Sequence, residues 1–217
     1  MMKERLDEQL AFLLECDRMK SIYRQTYIIA DEDRGSAENP PAERGLIHRR
    51  ENDAEHTFHL ALFAVILAEY ADEKIDLLKT LKMLLVHDIV EIDAGDTYAY
   101  DTEGYKTKAE REAKAADRLF SLLPADQRDE YRSLWEEFES GSSPESRFAN
   151  AVDHMQPLLL NYSKGGLSWR QRGVAPEKVR ERSQVVGKAS ARLGEYISDV
   201  LDKAVNDGYF EKDGTLT

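Results

Sequence analysis

Leu84-Leu85-Val86-His87-Asp88-Ile89-Val90-Glu91-Ile92-Asp93-Ala94-Gly95-Asp96 is the stretch around which the rest of the chain falls into place. A histidine and an aspartate stand side by side at the end of an apolar helical run, where a packed core ordinarily takes another Leu or Ile. Burying an imidazole with a carboxylate is costly unless something neutralises them, and a metal ion is one such partner. Upstream, Asp76 can cap a helix that runs through Leu77, Leu78, Leu81, Leu84 and Leu85 and stops near Gly95. The His87-Asp88 pair is therefore expected in the C-terminal half of one helix.

The chain around this stretch has 217 residues, 41% hydrophobic and 33% charged, rich in Leu, Ala, Glu, Lys and Arg. That composition predicts an all-α globular protein, a single domain over residues 1–217, with two smaller domains as the alternative. A formal charge of −12 argues against a nucleic-acid partner, since duplex binding draws on a basic surface, but leaves room for a small anionic ligand held locally. The single cysteine, Cys16, excludes an intramolecular disulfide and a cysteine-rich zinc site, and is read as a core residue of the first helix. The charged N-terminus lacks the apolar segment of a signal peptide, and the longest apolar run, Leu60 to Ala68, is about half a membrane span. A cytoplasmic protein without a membrane partner is the expectation.

Periodicity predicts the elements in order. Residues 5–22 form an amphipathic helix with Leu6, Leu10, Leu13, Leu14 and Ile22 on its buried side, and residues 31–47 a long charged loop. Asn52 or Asp53 caps a helix to about Ala71, expected deep in the core with Ala54, Phe58, Leu62, Val65, Ile66 and Ala68. A helix over 106–123 ends at Pro124, and the next buries Tyr131, Leu134, Trp135 and Phe138. Pro144 opens a helix carrying Phe148, Val152, Asp153, Met155, Leu158 and Leu159, bent at Pro157. After a loop over 163–176, one long helix over about 176–208 carries Val179, Val186, Leu193, Ile197, Val200 and Leu201 against the body or another subunit.

Five histidines are candidates for chemistry, because neutral imidazole is a common metal ligand. His48 lies in a polar loop beside Arg49 and Arg50 and is expected to face solvent. His154 points about 100° away from its neighbour Asp153 around the helix. His56 and His59 share a face, three residues apart, and each has the alternative of a satisfied core histidine. His56, His87 and Asp88 come from two helices whose other inward residues are aliphatic, and Asp153 stands between Val152 and Met155 on a third. A mixed nitrogen and oxygen set of this kind suits a hard or borderline divalent ion. Glu91 follows Asp88 by three and projects on its face as a general acid or base, with an exposed or salt-bridged helix glutamate as the alternative. Asp96 and Thr97, past Gly95, either line the site or make a simple turn.

The pattern Ala54-Glu55-His56-Thr57, His87-Asp88 with Glu91 and Gly95-Asp96, and Ala151-Val152-Asp153 resembles the HD-domain phosphohydrolases. It is most similar to the branch that contains bacterial 5'-deoxynucleotidases and HD domain-containing protein 2. Leu134-Trp135-Glu136-Glu137-Phe138-Glu139 and Asp153-His154-Met155-Gln156-Pro157 share that likeness, which covers residues 10–170 as the metal-site core. The resemblance implies an HD-domain helical bundle with one divalent metal ion (Mn, Co, Mg, Zn, Fe or Ni) held by His56, His87, Asp88 and Asp153. It further implies Glu91 orienting the attacking water, Asp96 contacting the deoxyribose, Arg24 binding phosphate, Thr97 beside the substrate, and a homodimer, for which the C-terminal helix and Trp169 are the suggested surface. Arg24 is followed by Gln25 where the deoxynucleotidases carry Trp, and Arg44, Arg49 and Arg50 are available to an anion or to solvent. The implied activity is a 5'-nucleotidase acting on nucleoside 5'-monophosphates, the deoxy forms first, with the choice between deoxy and ribo left open by Gln25. Its alternatives are another HD phosphohydrolase, taking a dNTP, alarmone or phosphodiester, and a non-catalytic metal-stabilised interaction protein.

Overall fold

The structure, a computed structural model, describes residues 2–29 and 48–210. The loop expected over 31–47, with Arg44, lies outside the described residues. α1 (Met2–Cys16) passes through a 3-10 turn at Asp17–Ser21 into strand β1 (Tyr23–Ile29), which pairs antiparallel with β2 (His48–Asn52). The helical prediction for 5–22 therefore stops six residues early, and a small two-stranded ribbon joins an otherwise helical fold. The ribbon satisfies its backbone through the ladder, so the polar run His48–Asn52 forms a strand without the alternation that would announce one.

Asn52 caps α2 (Asp53–Leu67) in a capping box, its side chain accepting from the Glu55 amide while the Glu55 carboxylate accepts from the Asn52 amide. Asp76 caps α3 (Leu77–Val86), accepting from the amides of Leu78 and Lys79. The helix predicted to continue to Gly95 does not. Tight turns carry the chain through His87 to Val90, with Ile89 N donating to Val86 O at 3.3 Å and Glu91 N to Asp88 O at 3.0 Å, before the short α4 (Glu91–Ala94). The HD pair thus sits where α3 ends, not inside a straight helix.

α5 (Tyr105–Phe120) and α6 (Ala125–Ser140) follow, and then α7 (Pro144–Ser163), capped by Ser143 with Pro144 in its first turn. The loop expected over 163–176 contains a six-residue helix, α8 (Leu167–Arg172). In place of one long terminal helix there are two, α9 (Pro176–Ala189) and α10 (Ala191–Asn206), broken at the extended Ser190, whose hydroxyl caps α10 by accepting from Leu193 N. They fold back as a hairpin. Arg180 pairs with Asp202 at 2.5 Å, and a Cβ placed on Gly194 would stand 2.7 Å from the Gly187 Cα.

α7 is the central element, packed against α2, α3, α6, α9 and β1. Its Phe148, Val152 and Met155 join Leu60, Ala64, Met83, Leu84, Leu119, Phe120, Ile197 and Leu201 in one contiguous buried set. Two predicted faces are reversed. α1 buries Phe12, stacked on Phe120, and leaves Leu6, Leu10, Leu13 and Leu14 exposed. α2 turns His56, Leu60 and Ala64 inward, at spacing four, and leaves Phe58 and Ile66 each 66% exposed, with Leu62 and Val65 beside them. A helix apolar all round has no single apolar face to point to the core, so the polar His56 decides which face goes in. Trp169 is buried and stacked on Phe210, and so offers nothing to a partner.

Candidate metal centre

Three elements bring the four expected ligands together. α2 contributes His56, the end of α3 and the turn after it contribute His87 and Asp88, and α7 contributes Asp153. Ligand atoms of His56, His87 and Asp88 lie within 4.8 Å of one another, and all three residues are buried. Asp153 Oδ1 is 2.9 Å from His56 Nε2 and 3.8 Å from His87 Nε2, while Asp88 Oδ1 is 3.1 Å from His87 Nε2. Pro157 carries no N–H and so cannot donate to the Asp153 carbonyl one turn back, yet α7 continues through it as one helix.

The donors fit a divalent ion. His87 Nδ1 donates to Leu84 O at 2.8 Å, which leaves the Nε2 lone pair facing two carboxylates, and that buried nitrogen has no hydrogen-bond partner among the described residues. Lone pairs of imidazole and carboxylate converge only around a cation or a proton. Burial opposes the charge on Asp153, yet the His56 and His87 side chains hold its carboxyl well below the usual range. Asp88 is likewise pushed up by burial and held down on balance by His87 and Arg24.

Arg24, on β1, reaches the same place. Its guanidinium donates to Asp88 Oδ2 at 2.7 Å and lies 3.5 Å from Asp53 Oδ1 and 4.0 Å from Glu91 Oε2. Glu91 comes from the first residue of α4, and its Oε2 is buried without a hydrogen-bond partner among the described residues, as is Asp53 Oδ2. Burial and then the neighbouring Asp88 charge push Glu91 well above the ordinary carboxylate range, and the same pair of causes raises Asp53 to about 7. Gly95, with φ of 76°, turns the chain out of α4 and delivers Asp96 back beside the centre.

A cleft opens from this centre. Arg24, Gln25, Asp96, Thr97 and Asp153 line its inner end, while Tyr98, Tyr100, His154, Asn161, Val179 and Arg182 line the rest. Thr97 reaches the cleft wall, but its hydroxyl accepts from Arg111 at 2.8 Å, so it also braces the loop. His154 stands apart from the ligand set, its Nδ1 donating to Asn150 O at 2.8 Å. Arg49 pairs with Glu55 at 2.6 Å, away from the cleft.

Sequence reasoning missed Asp53, Glu51, Gln156, Tyr98, Tyr100 and Arg182. Asp53 was readable only as a cap, because its place inside depends on Asn52 taking that role. Glu51 and Gln156 lie near ligands in sequence but carry no spacing of their own.

The sequence profile of the HD domain family matches residues 42–193. A crystal structure of a predicted metal-dependent phosphohydrolase from Magnetospirillum magnetotacticum MS-1 is 43% identical with a TM-score of 0.85, covering 97% of this chain and 98% of that one. The 5'-deoxynucleotidase HDDC2 of Homo sapiens is 31% identical over 113 residues, 52% of this chain and 54% of that protein. The 5'-deoxynucleotidase hdd1 of Schizosaccharomyces pombe is 26% identical over 116 residues, 52% of this chain and 57% of that protein. The chain spans about half the length of the curated relatives it matches. The profile match takes in His56, His87, Asp88 and Asp153 together, on the helices where the geometry converges, and with it the chain belongs to the HD domain family.

Proposed function

We propose that this protein is a metal-dependent phosphomonoesterase, a single domain that removes phosphate from deoxynucleoside 5'-monophosphates. The observation that supports the reading is the clustering of His56, His87, Asp88 and Asp153 with Arg24 and Glu91, beside a cleft that Arg24, Asp96 and Asp153 line. His56, His87, Asp88 and Asp153 would hold one divalent ion. Such an ion, when bound, supplies Lewis-acid polarisation of a phosphoryl oxygen and of water. Arg24 would offset charge on the non-bridging oxygens. Glu91, three residues from Asp88 and facing Arg24, would orient the attacking water and take its proton. Asp96 would accept from a sugar hydroxyl, and Thr97 would hold the loop that carries it.

The leaving nucleoside would run along Tyr98 and Tyr100 towards His154, Asn161 and Arg182. Few cations line that path, which favours a monophosphate over a triphosphate. The names of the relatives support the same substrate class.

A homodimer belongs to this reading, on a different surface from the C-terminal helices and Trp169. The exposed Leu10, Leu13, Phe58 and Leu85 of α1, α2 and α3 line one apolar groove. No helix among the described residues is long and apolar enough to cross a membrane, and a cytoplasmic setting suits a nucleotide substrate. The deciding experiment is a panel of dNMPs, NMPs, dNTPs and para-nitrophenyl phosphate with Mn, Co, Mg and Zn. Phosphate release from dNMPs supports the proposal, and pyrophosphate or triphosphate as product would replace it.

A further inference from the structure

Behind His56 lies a set of polar side chains that the proposed chemistry does not use. Glu51 of β2 is 2% exposed, and Gln156 of α7 and His56 are completely buried. Gln156 Nε2 donates to Glu51 Oε1 at 2.7 Å and stands 3.1 Å from His59 Nδ1. Gln156 Oε1 is 3.2 Å from His56 Nδ1, and Glu51 Oε2, which has no hydrogen-bond partner among the described residues, is 3.5 Å from the same nitrogen. The placement follows from helical spacing. Gln156 lies three residues after Asp153, and His59 three after His56, so each shares its ligand's face.

The chemistry of these groups sets a direction. An ionised carboxylate only accepts, so the amide nitrogen of Gln156 must face Glu51. Its second N–H then meets His59 Nδ1, which accepts. The amide oxygen is left facing His56 Nδ1, which must donate. Turned over, the amide would set its oxygen against the buried Glu51 carboxylate, a repulsion that no choice of His59 tautomer removes. With its proton on Nδ1, His56 keeps the Nε2 lone pair, 2.9 Å from Asp153 Oδ1, for a cation.

We infer that Glu51, Gln156 and His59 are positioning residues, a hydrogen-bond relay that fixes His56 in the Nδ1–H tautomer and aims its Nε2 at the metal. The inference rests on the metal-centre reading and not on the identity of the substrate. Outer partners of this kind typically change metal affinity by about 10- to 100-fold when removed. Glu51→Gln removes the acceptor-only end and lets the amide turn, while Gln156→Leu removes the amide with its fold-supporting volume kept.

The test is zinc titration by calorimetry together with NMR of the zinc-loaded protein. In the wild type the His56 Nδ1–H proton is expected downfield, protected from solvent and in nuclear Overhauser contact with Gln156. In both variants zinc binding should weaken by about 10- to 100-fold and the Nδ1–H resonance should move upfield. Unchanged affinity overturns the relay, and so does weakened affinity with an unmoved resonance, which marks a merely structural role. Should a variant fail to fold, the wild-type spectrum decides, since a missing Nδ1–H or a missing contact to Gln156 overturns the relay. A wild type that binds no zinc, manganese or cobalt removes the metal centre itself, a distinct failure.

Discussion

At the scale of single residues, the proposed function divides the site into groups that would hold a cation and groups that would act beside it. Asp88 belongs to the first, lying 3.1 Å from His87 Nε2 and accepting from Arg24. Asp88→Ala is expected to abolish metal binding by calorimetry and metal-dependent phosphate release together. Glu91 belongs to the second, so Glu91→Ala should retain the metal and lose about 10²- to 10⁴-fold in kcat, the usual weight of a general base. Cys16 provides a check away from the site. Burial pushes its thiol up to about 11, which keeps it protonated at neutral pH. Modification by a disulfide reagent at pH 7.5 should be much slower than for a free thiol and should accelerate as pH rises. The four candidate ligands stand out in the sequence because His and Asp are conspicuous at apolar helix positions, and the structure brings them together. Glu51 and Gln156 were not, because a polar residue beside a cap or a ligand has ordinary local explanations until its partners from other elements are seen.

At the scale of elements, capping chemistry was the most readable signal. Asp76 starts the helix that ends at His87, Pro144 opens the one that carries Asp153, and Asn52 takes the cap of the His56 helix that the sequence left open between Asn52 and Asp53. Periodicity was ambiguous where a helix is apolar on more than one side, as in α2, or where its apolar face is left outside, as in α1. The ribbon was hidden because its second strand, His48–Asn52, is entirely polar. The C-terminal hairpin was hidden because one extended residue, Ser190, breaks a continuous apolar pattern. Two substitutions test that hairpin. Gly194→Ala drives a Cβ to 2.7 Å from the Gly187 backbone and should destabilise by about 1–3 kcal/mol, despite the better helix propensity of alanine. Gly187→Ala meets the Gly194 backbone only at 3.9 Å and should be neutral or slightly stabilising, so thermal melts of the two variants should move apart.

At the scale of the whole molecule, two surfaces stand out: a polar cleft beside the candidate metal centre, and an apolar face built by α1, α2 and α3. Phe58 on α2 is exposed in the apolar groove and does not line the cleft, so Phe58→Asp is expected to shift sedimentation from the proposed dimer to a monomer. A wild type that sediments as a monomer at micromolar concentration would refute the dimer. The net charge of −12 works against phosphate binding over most of the surface, and in the proposed function Arg24 and a divalent ion would offset it locally. Phosphate release from a deoxynucleoside 5'-monophosphate, measured on chelator-treated protein before and after adding manganese or cobalt, tests the central claim most directly. Release should be absent without metal, restored by metal in the wild type, and absent in Asp88→Ala under both conditions. Full release from chelator-treated protein, or from Asp88→Ala, would contradict it.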